Sequence, residues 1–267
     1  MSKERHLALV TGASAGIGEA LATELAASGY DLVLVARRTG KLRSVAKRLQ
    51  DKYAIEAHVR TTDLLEAGAA ARLARRLERE GLAVDVLVNN AGLLEAGYFT
   101  AMDKDALQRM VQLNTGVLTD LLAQFVPPMR QRGSGRVMNV ASIAAFQPVV
   151  GLAAYAATKA YVLSLGEALG EELRGSGVTV TTLCPGITDT SMIAHAADDA
   201  PGFGELPRVV IGSPEDVARA GVRGLLRGDP IVVPGVLNQA GTLLADTLPR
   251  WLRRRLMGAL ARGRLGG

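Results

Sequence analysis

Short runs of apolar residues alternate with longer amphipathic segments along most of this chain. The short runs are β-branched or Leu-rich through much of their length, as in strands that a parallel sheet buries on both faces. In the longer segments apolar residues recur at three- and four-residue spacing, as in a helix packed on one side. Predicted strands span 6–11, 31–36, 55–60, 84–89, 135–141, 178–184 and 230–234, and predicted helices span 16–28, 40–52, 66–80, 103–126, 152–174 and 214–227.

This alternation predicts right-handed β–α–β units, and therefore an α/β fold with a doubly wound parallel sheet of about seven strands. No linker or repeat interrupts it before about residue 235, so residues 1–235 are predicted to form one domain. Segment 187–210 is rich in Ala, Gly and Pro without a clear period, and we expect it to be a lid. Pro127-Pro128 is expected to end or kink the helix that begins near residue 103.

The composition excludes several classes of protein. Hydrophobic residues make up 48% of the 267 residues, which is enough for one large core and excludes a disordered chain. Cys184 is the only cysteine, which excludes an intrachain disulfide scaffold. No run reaches the ~18–20 apolar residues of a membrane helix, and the N-terminal residues lack a signal-peptide hydrophobic region. We therefore expect a cytoplasmic protein.

The positive charge of the chain is concentrated at its end. The formal net charge is +5, but residues 250–267 hold six arginines and no acid, so residues 1–249 carry 25 basic against 26 acidic residues. A broad basic face is absent from this pattern, and no nucleic-acid partner is expected. Residues 236–267 are predicted to be a basic amphipathic tail. Within it, 240–267 either makes weak contact with an anionic membrane surface, or packs against a neighbouring subunit or is partly disordered.

Three glycines follow the first predicted strand and open the first predicted helix. Gly12 would allow a tight turn, Gly16 would let the backbone approach a pyrophosphate, and Gly18 would allow close helix–sheet packing. The free N–H groups at the helix N-terminus would favour phosphates. An ordinary tight turn is the alternative, but the position after the first strand favours a dinucleotide site.

The end of the second predicted strand indicates which dinucleotide binds. A site for NAD typically has an acid there for the ribose 2′-hydroxyl, whereas a site for NADP has an arginine for the 2′-phosphate. Ala36 takes the acidic position, and Arg37 and Arg38 follow it. Because a guanidinium matches a phosphate with two parallel hydrogen bonds, the pattern predicts NADP(H) as cofactor. The alternative is that both arginines are solvated charges at a helix start.

Four residues form a candidate catalytic set. Tyr155 and Lys159 are four residues apart in a helical segment, so they share one face. A nearby ammonium lowers the pKa of a phenol, and we therefore expect Lys159 to lower the pKa of Tyr155. Ser142 ends a predicted strand, where α/β sheets place ligands, and Asn114 lies in an otherwise apolar helix, where its amide needs a partner.

Taken together, these motifs resemble a known family, the ordinary single-domain members of the short-chain dehydrogenase/reductase superfamily. The resemblance covers residues 5 to about 235, and its motifs occur in order: Thr11-Gly12-x-x-x-Gly16-x-Gly18, Asn89-Asn90-Ala91-Gly92, Asn114, Ser142, Tyr155-x-x-x-Lys159 and Pro185-Gly186. It implies a Rossmann-like fold and an oxidoreductase. It also implies a homodimer or homotetramer built partly on the helices near 103–126 and 152–174.

The resemblance further implies a role for each residue. Tyr155 would donate a proton in reduction and accept one in oxidation, and Lys159 would lower its pKa and bind the nicotinamide ribose. Ser142 would hydrogen-bond the substrate oxygen, and Asn114 would hold a water of a proton relay. The implied cofactor site comprises Gly12, Ser14, Gly16, Ile17, Gly18, Arg37, Arg38, Asp63, Leu64, Asn90, Ala91, Gly92, Tyr155, Lys159, Pro185, Gly186, Thr188 and Thr190.

Parts of that cofactor site have separate implied roles. Asp63 with Leu64 would touch the adenine, and Asn90 would lie beside the adenosine ribose. Thr188, through its backbone, and Thr190 would hold the carboxamide. For Asn89 a purely structural role stays open. The chain departs from the family pattern at Ala15, often basic in relatives that prefer NADP, and at Thr188, which is usually Val or Ile.

The sequence thus predicts an NADP(H)-dependent enzyme that interconverts a carbonyl and an alcohol. The apolar residues expected around the substrate favour a small hydrophobic aldehyde or ketone: Leu93, Leu94, Ile143, Phe146 and Leu152. A non-catalytic NADP-binding regulator is the alternative, and a lyase or epimerase on the same fold is disfavoured by the chain's length. His6, His58 and His195 lack metal-ligand spacing, so no metal is expected.

Overall fold

The computed structural model describes residues 5–188 and 212–236, together with residues 238–240, 242 and 255. Most of the predicted lid and of the predicted tail lies outside the described residues, as do Thr190 and His195. The strands are β1 (Leu7–Thr11), β2 (Asp31–Ala36), β3 (Ala57–Thr61), β4 (Val86–Asn89), β5 (Gly135–Val140), β6 (Val178–Leu183) and β7 (Ile231–Val232). The α-helices are α1 (Gly16–Ala27), α2 (Thr39–Tyr53), α3 (Ala69–Arg79), α4 (Lys104–Val111), α5 (Leu118–Gln131), α6 (Ala153–Glu172) and α7 (Pro214–Arg227).

The described strands form one seven-stranded sheet in the order β3-β2-β1-β4-β5-β6-β7. Every neighbouring pair is parallel. This is the predicted doubly wound sheet of Rossmann type. The direction of winding reverses between β1 and β4, and sheets of this kind bind ligands in the crevice at the carboxyl ends of such strands.

Helices cover both faces of the sheet, and the side chains of each strand alternate between the two layers. In β2, Leu32 and Leu34 pack towards α1, α2 and α7, whereas Val33 and Val35 pack towards α3, α5 and α6. All four are fully buried, as expected for a strand covered on both sides. A third, smaller apolar cluster lies beside the N-terminal end of α6 and contains Tyr155.

The proline pair does not end its helix, so that part of the sequence-based expectation is wrong. Helix α5 continues through Pro127 and Pro128 to Gln131. Both prolines lie on the exposed side of the last turns, and the residues four positions before them are also exposed. The carbonyls that lose an intrahelical partner can therefore bond water, which makes the prolines tolerable there.

The irregularity in this region lies earlier in the chain. A π-helical turn, Gln112–Val117, joins α4 to α5, and Asn114 lies in its middle. A π turn inserts one residue into a helix and is frequent at functional sites. Among the described residues no helix is long and apolar enough to cross a membrane. In the same part of the chain no three His, Cys, Asp or Glu side chains cluster as metal ligands would.

Candidate active site

Tyr155 and Lys159 lie one helical turn apart on the buried face of α6. The Lys159 Nζ is 5.6 Å from the centroid of the Tyr155 ring. The same Nζ donates a hydrogen bond of 2.9 Å to the carbonyl oxygen of Val140, the last residue of β5. The lysine thus joins α6 to the carboxyl end of a central strand, and its charged group is fixed beside the tyrosine.

Ser142 follows β5 and faces Tyr155. Its Oγ accepts a hydrogen bond of 3.1 Å from the backbone N–H of Ala144, which caps a short 3₁₀ helix, Ile143–Phe146. A side-chain hydrogen bond also joins Ser142 to Tyr155. The serine hydroxyl is therefore held at the end of a strand and next to the phenol.

The pKa of Tyr155 is shifted in the direction opposite to the one the sequence led us to expect. Burial disfavours the phenolate and raises the pKa of Tyr155 to about 12, while the hydrogen bond with Ser142 acts in the lowering direction and is outweighed. Lys159 lies over the ring face and does not reverse this shift. The phenol therefore stays protonated at neutral pH, which is the state that a proton donor requires.

The pKa of Lys159 is also set by burial. Removing the ammonium from water lowers the pKa of this lysine from 10.5 to about 8, and the nearby Cys184 acts in the raising direction. Burial also raises the pKa of the Cys184 thiol to about 12, so it is not a thiolate nucleophile at neutral pH. Below pH 8 the site therefore holds a cationic amine beside a neutral phenol.

Asn114 is buried, and its amide makes three hydrogen bonds. The Oδ1 accepts from the backbone N–H of Leu93 at 2.8 Å, and the Nδ2 donates to the Leu93 carbonyl at 2.9 Å. The Nδ2 also donates to the Thr158 Oγ1 at 3.1 Å. Sequence reasoning missed Thr158, because a contact across 44 residues leaves no local pattern. Its only signal was its place on α6 directly before Lys159.

Gly92 lies where Asn114 and Lys159 meet. A Cβ added to Gly92 would be 3.1 Å from the Asn114 Oδ1 and 3.7 Å from the Lys159 Nζ. The loop after β4 therefore runs between the amide and the amine. Asn114, Ser142, Tyr155 and Lys159 thus converge at the carboxyl ends of β4 and β5 around one short stretch of backbone.

The glycine turn after β1 has the geometry of a nucleotide cradle. Gly12 and Gly16 adopt positive φ angles of 68° and 57°, which favour glycine. A Cβ on Gly18 would lie 2.3 Å from the Gly12 carbonyl oxygen, so the first helix packs closely on the turn. Helix α1 begins at Gly16, and its free N–H groups face the carboxyl edge of the sheet. These residues fit a dinucleotide pyrophosphate.

The residues at the end of β4 hold this cradle in place. The Asn90 Nδ2 donates to the Thr11 carbonyl at 2.9 Å, and the backbone N–H groups of Asn90 and Ala91 both donate to the Thr11 Oγ1 at 3.0 Å. Asn89 is buried, and its Nδ2 donates to the Oδ1 of its register partner Asn139 at 2.9 Å. The Asn89 side chain therefore links β4 to β5, which is a structural role.

The two arginines after β2 differ in their surroundings. The Arg38 Nη2 donates to the Ser14 Oγ at 3.1 Å, so this guanidinium lies over the glycine turn. Arg37 is exposed, and within the described part of the chain no hydrogen bond or ion pair of its side chain is found. Both residues directly follow β2, and of the two Arg38 is the one whose side chain contacts the glycine turn.

The remaining candidate cofactor residues lie along the same edge of the sheet, in loops or, for Ile17, in the first turn of α1. The Asp63 Oδ1 accepts from the Leu65 N–H at 3.0 Å, and Leu64 is buried. On the other side of the site, the Thr188 Oγ1 donates to the Gly186 carbonyl at 3.0 Å. Ile17 is half-buried, and Pro185 is buried.

Asn238 is a neighbour of this loop that sequence reasoning placed in the tail. A Cβ on Gly186 would lie 2.5 Å from the Asn238 Nδ2, which itself donates to the Pro234 carbonyl at 2.8 Å. The amide of Asn238 therefore covers the open side of Gly186. The predicted domain boundary at 235 thus separates two segments that are in contact.

This arrangement can transfer a proton to an oxygen atom and polarise it at the same time. A neutral phenol, a serine hydroxyl and a cationic amine lie together at the carboxyl ends of β4 and β5, and the glycine-lined cradle for phosphates follows β1, the strand next to β4. The fold and site together define a dinucleotide-binding α/β protein with an acid–base centre.

The comparison with known families agrees with that class. The family model described as short chain dehydrogenase matches residues 6–201. The chain therefore belongs to the short chain dehydrogenase family, as its motifs predicted.

Curated relatives of similar length include an uncharacterized oxidoreductase of Staphylococcus saprophyticus. It is 32% identical over 219 residues, which cover 82% of this chain and 90% of that protein. A human relative, named inactive hydroxysteroid dehydrogenase-like protein 1, is 33% identical over 189 residues, covering 70% of this chain and 57% of its own length. Three mycobacterial relatives, each named probable oxidoreductase EphD, are longer, and the chain spans 34% of their length.

A solved structure with high similarity is the short-chain dehydrogenase from Sphingobium yanoikuyae in complex with NADPH. The two chains are 32% identical with a TM-score of 0.80, and the match covers 91% of this chain and 96% of the other.

Proposed function

We propose that this protein is an NADP(H)-dependent oxidoreductase that interconverts a carbonyl and an alcohol on a small hydrophobic substrate. The observation that carries the proposal is the convergence of Tyr155, Ser142 and Lys159 beside the glycine cradle. Tyr155 and Lys159 are both buried, and burial of an amine and a phenol is costly, so their retention beside the half-buried Ser142 supports a role in proton transfer.

NADP(H) is the proposed cofactor for two reasons. An acidic residue at the end of β2 would favour NAD, and this chain has Ala36 there. The guanidinium of Arg38 is fixed over Ser14 at the glycine turn. The similar dehydrogenase from Sphingobium yanoikuyae was solved with NADPH. Gly12, Gly16 and Gly18 would accommodate the pyrophosphate. A side chain at Gly12 or Gly18 would collide with neighbouring atoms, and one at Gly12 or Gly16 would be strained by the positive φ angle.

In the proposed reduction the protein supplies binding, polarisation and a proton. The nicotinamide of the bound cofactor supplies hydride to the carbonyl carbon. The Ser142 and Tyr155 hydroxyls hydrogen-bond the carbonyl oxygen, and Tyr155 gives its proton to that oxygen as negative charge develops on it. Lys159, held by the Val140 carbonyl, stabilises the phenolate that is left. In oxidation the same tyrosine accepts the proton.

The test is NADPH oxidation with a panel of aldehydes and ketones, using the Tyr155→Phe variant as the comparison. We expect the variant to oxidise NADPH about 10²–10⁴-fold more slowly than the wild type, because the proton donor is gone while the ring remains. NADPH binding, measured by fluorescence titration, should be retained in both proteins. Full activity of Tyr155→Phe would refute the assigned acid, and binding without any turnover in the wild type would favour a non-catalytic NADP-binding regulator.

A homodimer or homotetramer is the proposed assembly. Val111, at the end of α4, and Tyr161, on α6, are exposed by 43% and 42%, and the Tyr161 hydroxyl is 2.8 Å from the Thr119 Oγ1. Large apolar side chains exposed on neighbouring helices favour a subunit contact. Sedimentation equilibrium of the wild type and of Val111→Glu would test it. A cytoplasmic location and a weak membrane contact through 240–267 stay predictions from the sequence.

A further inference from the structure

Three of the seven large apolar side chains exposed in the described residues lie on two loops beside the site. Phe99 is 62% exposed, Tyr98 is 56% exposed and Val150 is 40% exposed. Single exposed apolar residues are ordinary, but a group at one place marks a contact surface. We call these three residues the apolar rim.

One backbone hydrogen bond joins the two loops at the apolar rim. The Gly97 N–H donates to the Gly151 carbonyl at 2.8 Å. Tyr98 directly follows Gly97, and Val150 directly precedes Gly151, so the two side chains start from either side of the same bond. Phe99 opens the short 3₁₀ helix that comes next. The rim is therefore one surface, although its members are about fifty residues apart in the chain.

Both loops also lead directly to the reacting groups. Upstream of Gly97, Leu93 is held by the two hydrogen bonds of Asn114. Downstream of Gly151, the Leu152 carbonyl accepts from the Ala156 N–H in the first turn of α6, the turn that carries Tyr155. The apolar cluster beneath the loops contains Tyr155 itself, with Met110, Leu152, Leu93, Leu94 and Val149. The cluster thus extends from Tyr155 to Ala96 and Val149, which are the chain neighbours of Gly97 and of Val150 in the two loops.

The two loops are almost without charge. Residues 90–102 and 141–153 contain no Lys, Arg or Asp and only one Glu, Glu95. The backbone N–H of Glu95 donates to the Met110 Sδ at 3.3 Å, on the inner side of the loop. A carboxylate or phosphate of a substrate that bound between these two loops would lose hydrating water and find no cationic partner in either loop.

We infer that Tyr98, Phe99 and Val150 bind a bulky, uncharged apolar group of the substrate, such as an aromatic ring, attached to the carbonyl that Tyr155 reduces. The inference rests on the proposed function and narrows its substrate class. The rim takes the distal group by burial and ring contact, while the carbonyl end reaches Ser142 and Tyr155. Substrates with a distal charge are disfavoured, because the rim cannot pair it.

The experiment compares three methyl ketones with NADPH: 2-butanone, 4-phenyl-2-butanone and 4-(4-carboxyphenyl)-2-butanone. In the wild type, kcat/KM should be about tenfold or more higher for the phenyl ketone than for either of the others. Phe99→Ala and Tyr98→Ala should each lower kcat/KM for the phenyl ketone by about five- to tenfold through KM, with kcat unchanged and 2-butanone within about twofold. Leu226→Ala removes another exposed apolar side chain, on α7 and outside the rim, and should change nothing.

Several results would overturn the inference. Equal kcat/KM values for the three ketones would do so, as would a carboxylate preference or rim variants that behave like Leu226→Ala. If Phe99→Ala changed the sedimentation coefficient and not KM, the rim would be a contact between two copies of this chain. If the wild type reduced none of the ketones, the proposed function would be at fault. Isothermal titration of 4-phenyl-2-butanol into the NADPH-bound protein would then decide separately, since a Kd that Phe99→Ala does not raise contradicts the rim.

Discussion

Both polar atoms of the Asn114 amide bind the backbone of Leu93, the Oδ1 through its N–H at 2.8 Å and the Nδ2 through its carbonyl at 2.9 Å. A third bond runs to the Thr158 hydroxyl on the catalytic helix. This one buried side chain therefore holds the loop after β4 against α6. The position of that loop relative to Tyr155 depends on it.

We expect Asn114→Ala to lower the free energy of unfolding by about 1–3 kcal/mol, because the N–H and carbonyl of Leu93 lose their partner inside the protein. The KM for ketone should rise as well, since the loop is no longer fixed. Urea denaturation and steady-state kinetics measure the two effects. Thr115→Ala is the matched control, because its hydroxyl makes only a bond to the Val111 carbonyl within the helix. Equal stability of the two variants would contradict this account of Asn114.

Arg38 should contribute more to NADPH selectivity than Arg37. Its guanidinium is fixed on the Ser14 hydroxyl at the glycine turn, so less side-chain entropy is lost when a 2′-phosphate binds. We expect Arg38→Ala to raise the Kd for NADPH by about tenfold or more and the Kd for NADH by less than about twofold. Arg37→Ala is the control with a smaller effect. Fluorescence titration with both nucleotides measures the ratio, and a larger loss in Arg37→Ala would reverse the assignment.

The buried Lys159 should make the protein's stability depend on pH. Its pKa in the folded protein is about 8, below its ordinary 10.5. Below pH 8 both states hold the proton, and the folded state carries the full cost of the buried ammonium. Between pH 8 and 10.5 the unfolded state binds more protons, so stability increases with pH.

The Lys159→Met variant isolates this pH dependence, because methionine has no amine that gains or loses a proton. The stability of the wild type relative to the variant should increase between pH 7 and pH 9.5, as measured by denaturant unfolding at several pH values. The raised pKa of Tyr155 lowers the stability of the protein only as the pH rises above 10, which is outside that range. A difference that stays constant with pH would mean that the amine is not desolvated.

Gly186 and Asn238 should behave as a complementary pair. A methyl group on Gly186 would meet the Asn238 amide at 2.5 Å, so Gly186→Ala is expected to displace the loop that leads to Thr188 and to weaken NADPH binding by about fivefold or more. Asn238→Ala removes the colliding atoms. The double variant should therefore bind NADPH better than Gly186→Ala alone. If the effects of the two substitutions on NADPH binding were additive, the two residues would not be in steric contact.

Much of the fold follows from local patterns. The predicted strand 31–36 and the predicted helix 214–227 agree with the structure at both ends, because each is a single apolar or amphipathic run between clear breaks. Other elements differ by a few residues at their ends. The predicted helix 66–80 begins at Ala69 instead, after Gly68 with its positive φ of 71°. Periodicity places elements well but does not resolve where a turn becomes a helix.

The sequence predicted which of these side chains lie close together, but not the direction of the tyrosine pKa shift. The spacing of Tyr155 and Lys159 correctly placed them on one face, but the sign of the tyrosine pKa shift depends on how deeply the ring is buried, which no spacing reveals. Thr158 and Asn238 could not be found, because each acts through a contact between distant parts of the chain. The prolines of α5 were misjudged for a similar reason, since tolerance depends on which side of the helix meets water.

The π-helical turn around Asn114 has a consequence for how this site tolerates length changes. A π turn holds one residue more than the regular helix it interrupts, and each residue of a helix is rotated by about 100° from the last. Deleting one residue between Gln112 and Val117 would restore a regular helix from α4 to α5. Only one of the two helices, α4 or α5, could then keep its packing against the core. The amide would then point a quarter turn or more away from the loop after β4. The extra residue is thus the feature that lets a core helix carry an inward-facing polar group, and a shortened chain should fold yet fail to assemble its reaction centre.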